Sequence, residues 1–306
     1  MGKALMQTDI GEYKLFAKGK VRDVYDLDDK LLIIATDRIS AFDIILPNGI
    51  PGKGRILNQM SVFWFNFVSS IVPTHFITSD LSKYPSNLQK YKSILEGRSM
   101  LVKKAKRVDI ECVVRGYIAG SLWKDFKHKR AESEEGTIEV LGLEFPRNLQ
   151  ESDKLPENIF TPATKAEEGH DVNISFAHMS NLVGGELAQN LREKSMGIYQ
   201  RAYQYAIRKG LIIADTKFEF GLDGDRITLI DEIFSPDSSR FWSKADYQPG
   251  RAQESFDKQF IRDYLESIHW DKKPPAPELP AEIIDKTLEK YEQAFNWLVS
   301  EGVKVD

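Results

Sequence analysis

The segment 211–221 constrains this chain more than any other. Its first part is apolar, and from Asp215 onward charged and apolar residues alternate in the order DTKFEFG. Since successive side chains of a strand point to opposite faces, Asp215, Lys217 and Glu219 share one face. The opposite face is mainly apolar, which favours packing on a core. The pattern therefore predicts a long strand that presents an acid, a cation and an acid in a row.

A hairpin is predicted after this strand. The residues DGD at 223–225 are typical of a turn, and an apolar strand follows over 227–230 before Asp231 and Glu232. Carboxylate oxygens are hard ligands that suit Mg²⁺, and a lysine is a point-charge partner for phosphate. The hairpin is therefore a candidate phosphate and metal site, and an exposed strand with alternating charges is the alternative.

The composition excludes several classes of protein. The chain has 306 residues, enough for two lobes, and its formal net charge of −4 gives no electrostatic reason to bind nucleic acid or anionic membrane. No apolar run reaches the length of a membrane span, and the N-terminus lacks the apolar core of a signal peptide. The single cysteine, Cys112, lies in an apolar run, which predicts a buried thiol and excludes an intrachain disulfide. These features predict a cytoplasmic protein.

Hydrophobic periodicity predicts a first region rich in strands and a second region of mixed structure. In the first region, strands are expected over 16–27 with a break at Gly19, over 30–35, 100–105 and 110–114, with one helix over 56–71. In the second, we expect a short helix capped by Ser121, a polar and irregular excursion over 127–158, and helices over 187–205, 256–268 and 283–298.

Basic residues near the N-terminus form a candidate phosphate site. Lys18, Lys20 and Arg22 surround Gly19 between two strand halves. Glycine lets backbone N–H groups approach an anion closely, and the cations neutralise its charge. The turn is compatible with phosphate binding and equally with an ordinary basic turn. Lys103, in a predicted strand, is compatible with a nucleotide phosphate contact or with a surface position.

A second candidate anion site begins at Arg115. This arginine follows the apolar run 110–114, and two glycines and Ser121 come directly after it at the predicted start of a helix. A guanidinium has the planar fork for a bidentate contact, and helix N-termini attract anions. The pattern favours an anion site over a salt bridge beside a capping serine. Arg240, after the hairpin, is compatible with a structural ion pair or a substrate clamp.

The stretch 161–171 is polar and has few core residues. His170 beside Asp171 is compatible with a proton carrier or an anion contact, although the residues alone favour a plain surface loop. No Ser/His/Asp or Cys/His nucleophile is evident, and the sequence contains no Walker A loop, G-x-G-x-x-G or kinase catalytic-loop signature. The chemistry must therefore be sought in the charged groups described above.

Six segments together closely resemble the SAICAR synthetase family, the phosphoribosylaminoimidazole-succinocarboxamide synthases of purine biosynthesis. In the family order they are GKVRD at 19–23, TDRISAFD at 36–43, ECVVRGYIAGS at 111–121, FTPATKAE at 160–167, IADTKFEFG at 213–221, and DE with PDSSR at 231–232 and 236–240. The segments 111–121 and 213–221 are specific to the family, whereas the glycine turn alone is not. The excursion and the C-terminal helix resemble the longer version of the family.

The resemblance implies an α+β fold of two lobes with ATP between them. Residues 1–112 are expected to form an antiparallel sheet like the small lobe of protein kinases. Residues 113–306 are expected to form a mixed α/β lobe with the catalytic hairpin 211–232 and C-terminal helices. The implied reaction is a carbon–nitrogen ligation, in which ATP, the carboxylate of carboxyaminoimidazole ribotide (CAIR) and L-aspartate give the succinocarboxamide (SAICAR), ADP and phosphate through an acyl phosphate.

The resemblance also implies the roles of individual residues. ATP is expected at Lys18, Lys20, Arg22, Lys103, Glu111, Val113, Glu219 and Asp231, with 111–113 on the adenine side and Glu219 and Asp231 as ligands of Mg²⁺. CAIR is expected at Arg115, Ser121, Asp215, Lys217 and Arg240, and L-aspartate at Lys165, His170 and Asp171. Lys217 and Asp215 are the expected catalytic residues.

The expected cofactors are ATP and Mg²⁺, and the expected partners are small-molecule substrates, with no nucleic acid and no membrane. The protein is expected to be a monomer or small homo-oligomer. Two alternatives stay open: a different ATP-dependent carboxylate–amine ligase or small-molecule kinase, and a nucleotide-binding module without catalysis. Turnover with CAIR and aspartate against other acceptors tests the first, and release of ADP excludes the second.

Overall fold

The computed structural model of the chain describes residues 2–132, 134, 136–165 and 172–299. Over this part of the chain there are seven α-helices: α1 Lys53–Val68, α2 Lys92–Leu95, α3 Gly120–Glu132, α4 Phe176–Val183, α5 Gly185–Arg208, α6 Gln259–Ser267 and α7 Ala281–Leu298. Two 3₁₀ segments, Leu81–Lys83 and Ser86–Tyr91, precede α2.

The same residues form sixteen strands. They are β1 Lys14–Lys18, β2 Arg22–Leu27, β3 Lys30–Ala35, β4 Ser40–Ala41, β5 Ile44–Ile45, β6 Phe76–Thr78, β7 Ser99–Lys103, β8 Lys106–Tyr117, β9 Thr137–Val140, β10 Leu143–Pro146, β11 Lys154–Phe160, β12 Ala163–Thr164, β13 Val172–Asn173, β14 Leu211–Asp223, β15 Arg226–Ile230 and β16 Ser239–Ser243.

The chain forms two compact units that are interleaved along the sequence. The first unit contains the residues up to Lys106, Gly221–Asp237 and the residues from Phe256 onward. The second contains Arg107–Phe220 and Ser238–Ser255. The sequence analysis expected a single boundary, with one lobe ending at residue 112 and the other beginning at residue 113. That division stays a prediction.

The first unit contains a five-stranded antiparallel sheet in the order β1-β2-β3-β7-β6. The predicted break at Gly19 separates β1 from β2, and β3 has the predicted bounds. Leu32 and Ile34 of β3 are fully buried and pack in one cluster with Leu88 and Leu95. Burial of alternate apolar residues thus confirms the strand-rich first region.

Helix α1 confirms the predicted helix but begins three residues earlier than expected, at Lys53. Gly54 lies in its first turn, where a Cβ would approach the carbonyl oxygen of Ala35 to 2.2 Å. Only a glycine therefore allows the helix to begin this close to β3. Met60 and Trp64 of the predicted stripe are fully buried, whereas Phe63 is partly exposed.

The C-terminal helices complete a second core of the first unit. Ile261 and Leu265 of α6 and Ile283 of α7 cluster with Ile39 and Ile50 from the N-terminal part of the chain. The sequence prediction grouped these helices with residues 113–306. Their apolar stripes pack against residues that precede α1.

In the second unit, β8 pairs with β11, β12 and β14, while β13 pairs with β12 and β16 pairs with β14. Strand β8 is longer than predicted and includes Arg115. Helix α5 confirms the predicted long helix, and the Tyr199 hydroxyl on it donates to the carbonyl oxygen of Ile213 in β14 at 2.6 Å. The charged residues of β8 and β14 therefore lie on neighbouring strands of one sheet, and α5 is bonded to that sheet.

The prediction of an irregular excursion over 127–158 is wrong. Helix α3 continues to Glu132, β9 and β10 form a hairpin, and β11 joins the sheet. Val140 and Phe145 of the hairpin pack with Trp123 and Phe126 of α3. Polar residues alternate with these apolar ones, so the segment is polar on average. This average made the segment look irregular, although its strands alternate apolar and polar residues.

The start of α3 also differs from the prediction, since the helix begins at Gly120 and Ser121 lies inside its first turn rather than at the cap. Among the residues described, no helix combines the length and apolar character needed to cross a membrane.

Candidate active site

The charged face of β14 has the predicted alternation. Asp215 and Glu219 are buried, with 9% and 8% of their surface exposed, and Lys217 between them is partly exposed. The three residues of the opposite face, Thr216, Phe218 and Phe220, are at most 1% exposed. The strand therefore packs on both faces, and the alternative of an exposed strand with solvated charges is wrong.

Two arginines share the carboxylate of Asp215. Arg115 of β8 donates from Nη1 to Oδ2 at 3.1 Å, and Arg240 of β16 donates from Nη1 to the same oxygen. Arg240 reaches this position because it lies opposite Asp215 in the pairing of β14 with β16. Two guanidinium groups thus meet at one buried carboxylate, and the charge of Asp125 also acts on Arg115.

Arg115 has two further acceptors. Its Nε donates to Thr161 Oγ1 at 2.9 Å and its Nη2 to Ser121 Oγ at 3.2 Å. Burial lowers the pKa of Arg115, and Asp215 acts in the opposite direction. A guanidinium keeps its proton even so, because its ordinary pKa lies far above neutrality. The contact of Arg115 with Thr161 was not predicted from the sequence.

Gly120 allows Arg240 to lie directly against the start of α3. Its φ is +59°, and a Cβ there would lie 2.7 Å from Nη2 of Arg240. The neighbouring Ser121 is exposed. A helix N-terminus beside two guanidinium groups is a favourable place for an anion, because the helix dipole and the side chains attract the same charge.

Two lysines and two glutamates form a second cluster on the same sheet. Lys217 Nζ lies 2.8 Å from Glu111 Oε1, and Lys165 Nζ lies 3.6 Å from the same atom and donates to Glu219. Lys165 is brought close because β12, which precedes it, pairs with β8 at Glu111. The cluster thus pairs two ammonium groups with two carboxylates.

The side chain of Glu111 thus belongs to the charged cluster. The sequence analysis expected Glu111 on the adenine side of ATP and did not predict its contacts with Lys165 and Lys217. A glutamate inside the apolar run 110–114 was the available sequence signal for a buried and paired carboxylate. Val113 lies two residues further along β8, and its carbonyl oxygen accepts from Thr161 N at 2.9 Å.

In the first unit, the glycine turn is held by a buried arginine. Arg38 is 4% exposed and donates to the carbonyl oxygens of Gly19 and Lys20, at 2.9 and 3.1 Å, and to Asp23 Oδ1 at 2.7 Å. Lys20 itself is exposed and forms an ion pair with Asp43. The TDR segment therefore organises the turn, a role that the sequence did not indicate.

Arg22 points to the other end of the predicted hairpin. Its Nη2 lies 2.6 Å from Asp231 Oδ2 and its Nη1 lies 2.8 Å from Glu232 Oε1. Lys18 and Lys103 are exposed, and neither ammonium has an ion-pair partner in the described part of the chain. The structure therefore brings Arg22 and Asp231 together and leaves these two lysines open to solvent.

The prediction of a surface loop over 161–171 is wrong at its start. Thr161 and Ala163 are 1% and 3% exposed, and Ala163 belongs to β12. His170 and Asp171 lie outside the described residues. Among the residues that are described, no group of three His, Cys, Asp or Glu side chains forms a metal site by itself.

Known sequences resemble this chain over nearly its whole length. The profile of a family described as SAICAR synthetase matches residues 15–277. The phosphoribosylaminoimidazole-succinocarboxamide synthase of Thermodesulfovibrio yellowstonii is 52% identical over 300 residues, which is 98% of this chain and 100% of the relative. The synthase of Geotalea uraniireducens is 53% identical over 303 residues, which is 99% of this chain and 100% of the relative.

Solved structures share the fold. The SAICAR-synthase of Saccharomyces cerevisiae complexed with SAICAR has a TM-score of 0.85 and 43% identity, covering 98% of this chain and 99% of that chain. A SAICAR synthetase in complex with ADP has a TM-score of 0.67 and 26% identity, covering 94% of this chain and 99% of that chain. Both confirm the α+β fold class expected from the sequence.

Fold and relatives together define the class, a carbon–nitrogen ligase that uses ATP. The chain belongs to the SAICAR synthetase family, as the six sequence segments indicated. The reaction of this family is the ATP-dependent ligation of CAIR and L-aspartate in purine biosynthesis.

Proposed function

We propose that this chain joins L-aspartate to the carboxylate of CAIR with ATP, giving SAICAR, ADP and phosphate. Family membership supports the reaction, and so does the SAICAR bound to a relative that is 43% identical. The observation that carries the proposal is the charged face of β14. It sets Asp215, shared by two guanidinium groups, in line with Lys217 and Glu219 and their ion pairs.

The chemical problem is to activate a carboxylate, which is a poor acyl donor because its leaving group would be oxide. Transfer of the γ-phosphoryl group of ATP to a CAIR carboxylate oxygen gives an acyl phosphate. The aspartate amine then attacks the acyl carbon, the C–N bond forms, the C–O bond breaks, and phosphate leaves while the amine loses its proton. The contribution of the protein is mainly positioning and charge neutralisation.

The ribotide phosphate of CAIR is proposed to bind at the start of α3, to Arg115, Ser121 and Arg240. The two guanidinium groups that meet at Asp215 beside the start of α3 support this assignment. Asp215 holds the two guanidinium groups in position, and Lys217 supplies a positive charge beside the ribotide. We therefore keep Asp215 and Lys217 as the proposed catalytic residues.

ATP is proposed to bind to the residues that the family resemblance assigns to it. In the first unit, Lys18, Lys20, Arg22 and Lys103 carry the positive charge for the phosphates. In the second unit, the segment 111–113 is proposed for the adenine side. The exposure of Lys18 and Lys103 supports this, because an ammonium without an ion-pair partner in the described chain is available to a phosphate.

Mg²⁺ is proposed to bind to Glu219 and Asp231 together with phosphate oxygens. The donor set fits, since carboxylate and phosphate oxygens are the ligands that this ion prefers. Each carboxylate already accepts from a cationic group, Glu219 from Lys165 and Asp231 from Arg22. When bound, the ion would neutralise charge on the phosphates.

L-Aspartate is proposed to bind to Lys165, His170 and Asp171. Support comes from Lys165, whose ammonium lies among carboxylates and can exchange Glu219 for a carboxylate of the substrate. We propose further that the protein acts in the cytoplasm as a monomer or small homo-oligomer, with small molecules as its only partners.

The direct test measures ADP formation by the purified protein with ATP and Mg²⁺. We expect release of ADP only when CAIR and L-aspartate are both present, with SAICAR formed in equal amount. Release with CAIR and a different amine, but not with aspartate, would identify another carboxylate–amine ligase. Nucleotide binding without release would identify a module that lacks catalysis.

A further inference from the structure

Tyr199 is a fully buried tyrosine of α5 to which the proposed reaction assigns no role. Its hydroxyl donates to the carbonyl oxygen of Ile213 in β14 at 2.6 Å. Burial raises the pKa of Tyr199 well above its ordinary value, so the hydroxyl keeps the proton that it donates. A phenylalanine would fill the same space without a polar atom to satisfy, so packing alone does not account for a tyrosine here.

The same hydroxyl lies directly against β8. A Cβ on Gly116 would lie 2.5 Å from the hydroxyl oxygen of Tyr199, closer than real Cβ atoms come to a neighbour. Gly116 is buried and follows Arg115 in the chain. The hydroxyl thus lies between the strand that carries Arg115 and the strand that carries Asp215, and a glycine leaves it the necessary room.

The carbonyl group that accepts this bond lies at a β-bulge. In the pairing of β14 with β16, Ile213 lies opposite Phe241. Two residues further along β14, Asp215 lies opposite Arg240, which is only one residue away on β16. Ala214 is therefore an extra residue within this pairing. Such a bulge redirects the side chains beyond it, and bulges are frequent beside active sites.

The bulge decides which residue of β16 shares a face with Asp215. Directly opposite residues of an antiparallel pair project from the same face of the sheet. Without the extra residue, the register of Ile213 would continue and place Ser239 opposite Asp215. Arg240 would then project from the other face, because a shift of one residue exchanges the two faces. The bond between Arg240 and Asp215 therefore depends on the bulge.

The bulge lies in the core and needs partners for its backbone groups. Ile213 and Ala214 are fully buried. Buried carbonyl and N–H groups are nearly always hydrogen-bonded, and a bulge disrupts the regular ladder that would otherwise satisfy them. The Tyr199 hydroxyl binds the carbonyl oxygen of the peptide that leads into Ala214, and so fixes the orientation of this peptide.

We propose that Tyr199 is a positioning residue that holds the bulge of β14, and so keeps Arg240 on the same face as Asp215. Its action is indirect, because the hydroxyl binds the backbone while Arg240 is the residue that meets the anion. This role rests on the function proposed for Arg115 and Arg240, the binding of the ribotide phosphate of CAIR.

The test measures steady-state KM values for CAIR and for ATP with variants of the full chain. Tyr199→Phe removes the hydroxyl and keeps the ring. We expect it to raise the KM for CAIR about tenfold, by the size of one lost hydrogen bond, and to leave the KM for ATP within about twofold. A general loosening of the fold would change both constants alike.

Tyr203→Phe is the matched control. Tyr203 lies one turn further along α5, and its hydroxyl forms a hydrogen bond of 3.0 Å with the Tyr117 hydroxyl of β8. The variant therefore removes a hydroxyl from the same helix and leaves the bond to Ile213 in place. Its KM for CAIR should equal that of the wild type.

Gly116→Ala tests the same bond from the opposite side and keeps the proposal testable if Tyr199→Phe does not fold. The added Cβ displaces the hydroxyl, so the KM for CAIR should rise as it does in Tyr199→Phe. In the double variant the hydroxyl is absent and no longer meets the Cβ. The KM for CAIR should then be no higher than in Tyr199→Phe alone.

A second double variant shows whether Tyr199 acts through Arg240. Arg240→Lys loses the planar fork of the guanidinium and should itself raise the KM for CAIR. Tyr199→Phe should add little in that background, because changes that act on one shared group are not additive.

Three outcomes would overturn the proposal. They are an unchanged KM for CAIR in Tyr199→Phe or Gly116→Ala, an equal rise of the KM for ATP, and a further rise of the same size when Tyr199→Phe is added to Arg240→Lys. Failure of the proposed function is distinguishable, because in that case Arg240→Lys itself leaves the KM for CAIR unchanged.

Discussion

Arg115 and Asp215 lie 100 positions apart in the sequence and are joined by a hydrogen bond of 3.1 Å between Nη1 and Oδ2. The bond crosses from β8 to β14, and Arg240 donates to the same oxygen from the other neighbour of β14. Asp215 thus brings two guanidinium groups together. Two guanidinium groups held in a fixed geometry suit the phosphate that we propose to bind here.

Replacement of Arg115 by lysine should weaken the binding of CAIR. Lysine keeps the charge but cannot contact Asp215, Thr161 and Ser121 together. We expect apparent CAIR affinity to fall by about 1.5–3 kcal/mol, the range for hydrogen bonds to a charged group. The KM for ATP should change little.

Arg107→Lys, at an exposed position of the same strand, is the control. If Arg115→Lys changes the KM for ATP more than the KM for CAIR, this anion site belongs to the nucleotide.

Glu219→Gln should lower kcat by at least about a hundredfold, because several kcal/mol of charge stabilisation are lost with the carboxylate. In the structure this carboxylate accepts from Lys165, so the variant also leaves that ammonium with Glu111 as its carboxylate partner among the described residues. Steady-state rates at saturating Mg²⁺ give the answer. Glu139→Gln, on an exposed position of β9, should have no effect, and near-normal activity of Glu219→Gln would remove Glu219 from the proposed metal ligands.

Lys165→Ala should raise the KM for L-aspartate. Loss of a charged hydrogen bond to a substrate carboxylate is worth about 1.5–3 kcal/mol, or about ten- to a hundredfold. The KM values for ATP and CAIR should stay close to those of the wild type, as should all three constants in the exposed control Lys244→Ala. If the aspartate KM is unchanged, Lys165 has only its structural ion pairs and aspartate binds elsewhere.

The local parts of this site could be predicted from the sequence, because strand period and turn chemistry act over a few residues. The alternation of Asp215, Lys217 and Glu219 and the turn at Gly224 are of this kind. The partners of these side chains could not be predicted. Thr161 reaches Arg115 only through pairing of β8 with its neighbours, and such long-range pairing leaves no pattern in a single sequence.

The hairpin of β9 and β10 was missed for a different reason. Each strand has four residues, and in β9 the buried Ile138 and Val140 alternate with the exposed Thr137 and Glu139. In a strand of four residues, the alternation of apolar and polar residues is too short to be recognised within a polar segment. What stabilises the hairpin is its packing on α3, where Trp123 and Phe126 supply the apolar surface.

A buried ion cluster in the first unit predicts a large loss of stability. Asp237 Oδ2 lies 2.9 Å from Lys53 Nζ and 3.0 Å from Lys258 Nζ, and Tyr291 donates to Oδ1 at 2.8 Å. Burial opposes ionisation of Asp237, but Lys258 and Lys53 together hold its pKa well below the usual value. Asp237→Asn would leave the buried ammonium groups of Lys53 and Lys258 without the carboxylate that they share.

We expect Asp237→Asn to lower the free energy of unfolding by about 3–5 kcal/mol, the cost of breaking a buried ion pair. Urea denaturation followed by circular dichroism measures this. Glu96→Gln is the control, because its pair with Lys92 is exposed and should contribute less than about 1 kcal/mol. Equal stability of both variants would mean that the cluster is neutralised in another way.

Cys112 predicts a specific dependence of stability on pH. The thiol is fully buried, and burial raises its pKa from 9.0 to about 12, with a smaller opposing effect from a hydrogen bond to Ser195. In the unfolded chain the thiol loses its proton near its ordinary pKa, whereas in the folded chain it keeps the proton up to about pH 12. Between these values the folded state binds more protons, so stability must fall as the pH rises.

The contribution of Cys112 to stability should therefore be constant below about pH 9 and decrease above it, by at most about 1.4 kcal/mol per pH unit. Other groups titrate in the same range, so the quantity to measure is the difference in unfolding free energy between the wild type and Cys112→Ala. That difference should shrink as the pH is raised.

The folded protein should also resist alkylation by iodoacetamide at about pH 8, and urea should remove the resistance, because only a thiolate that solvent can reach is nucleophilic. Rapid alkylation without urea, or a stability difference that does not depend on pH, would show that the thiol is accessible in the folded protein.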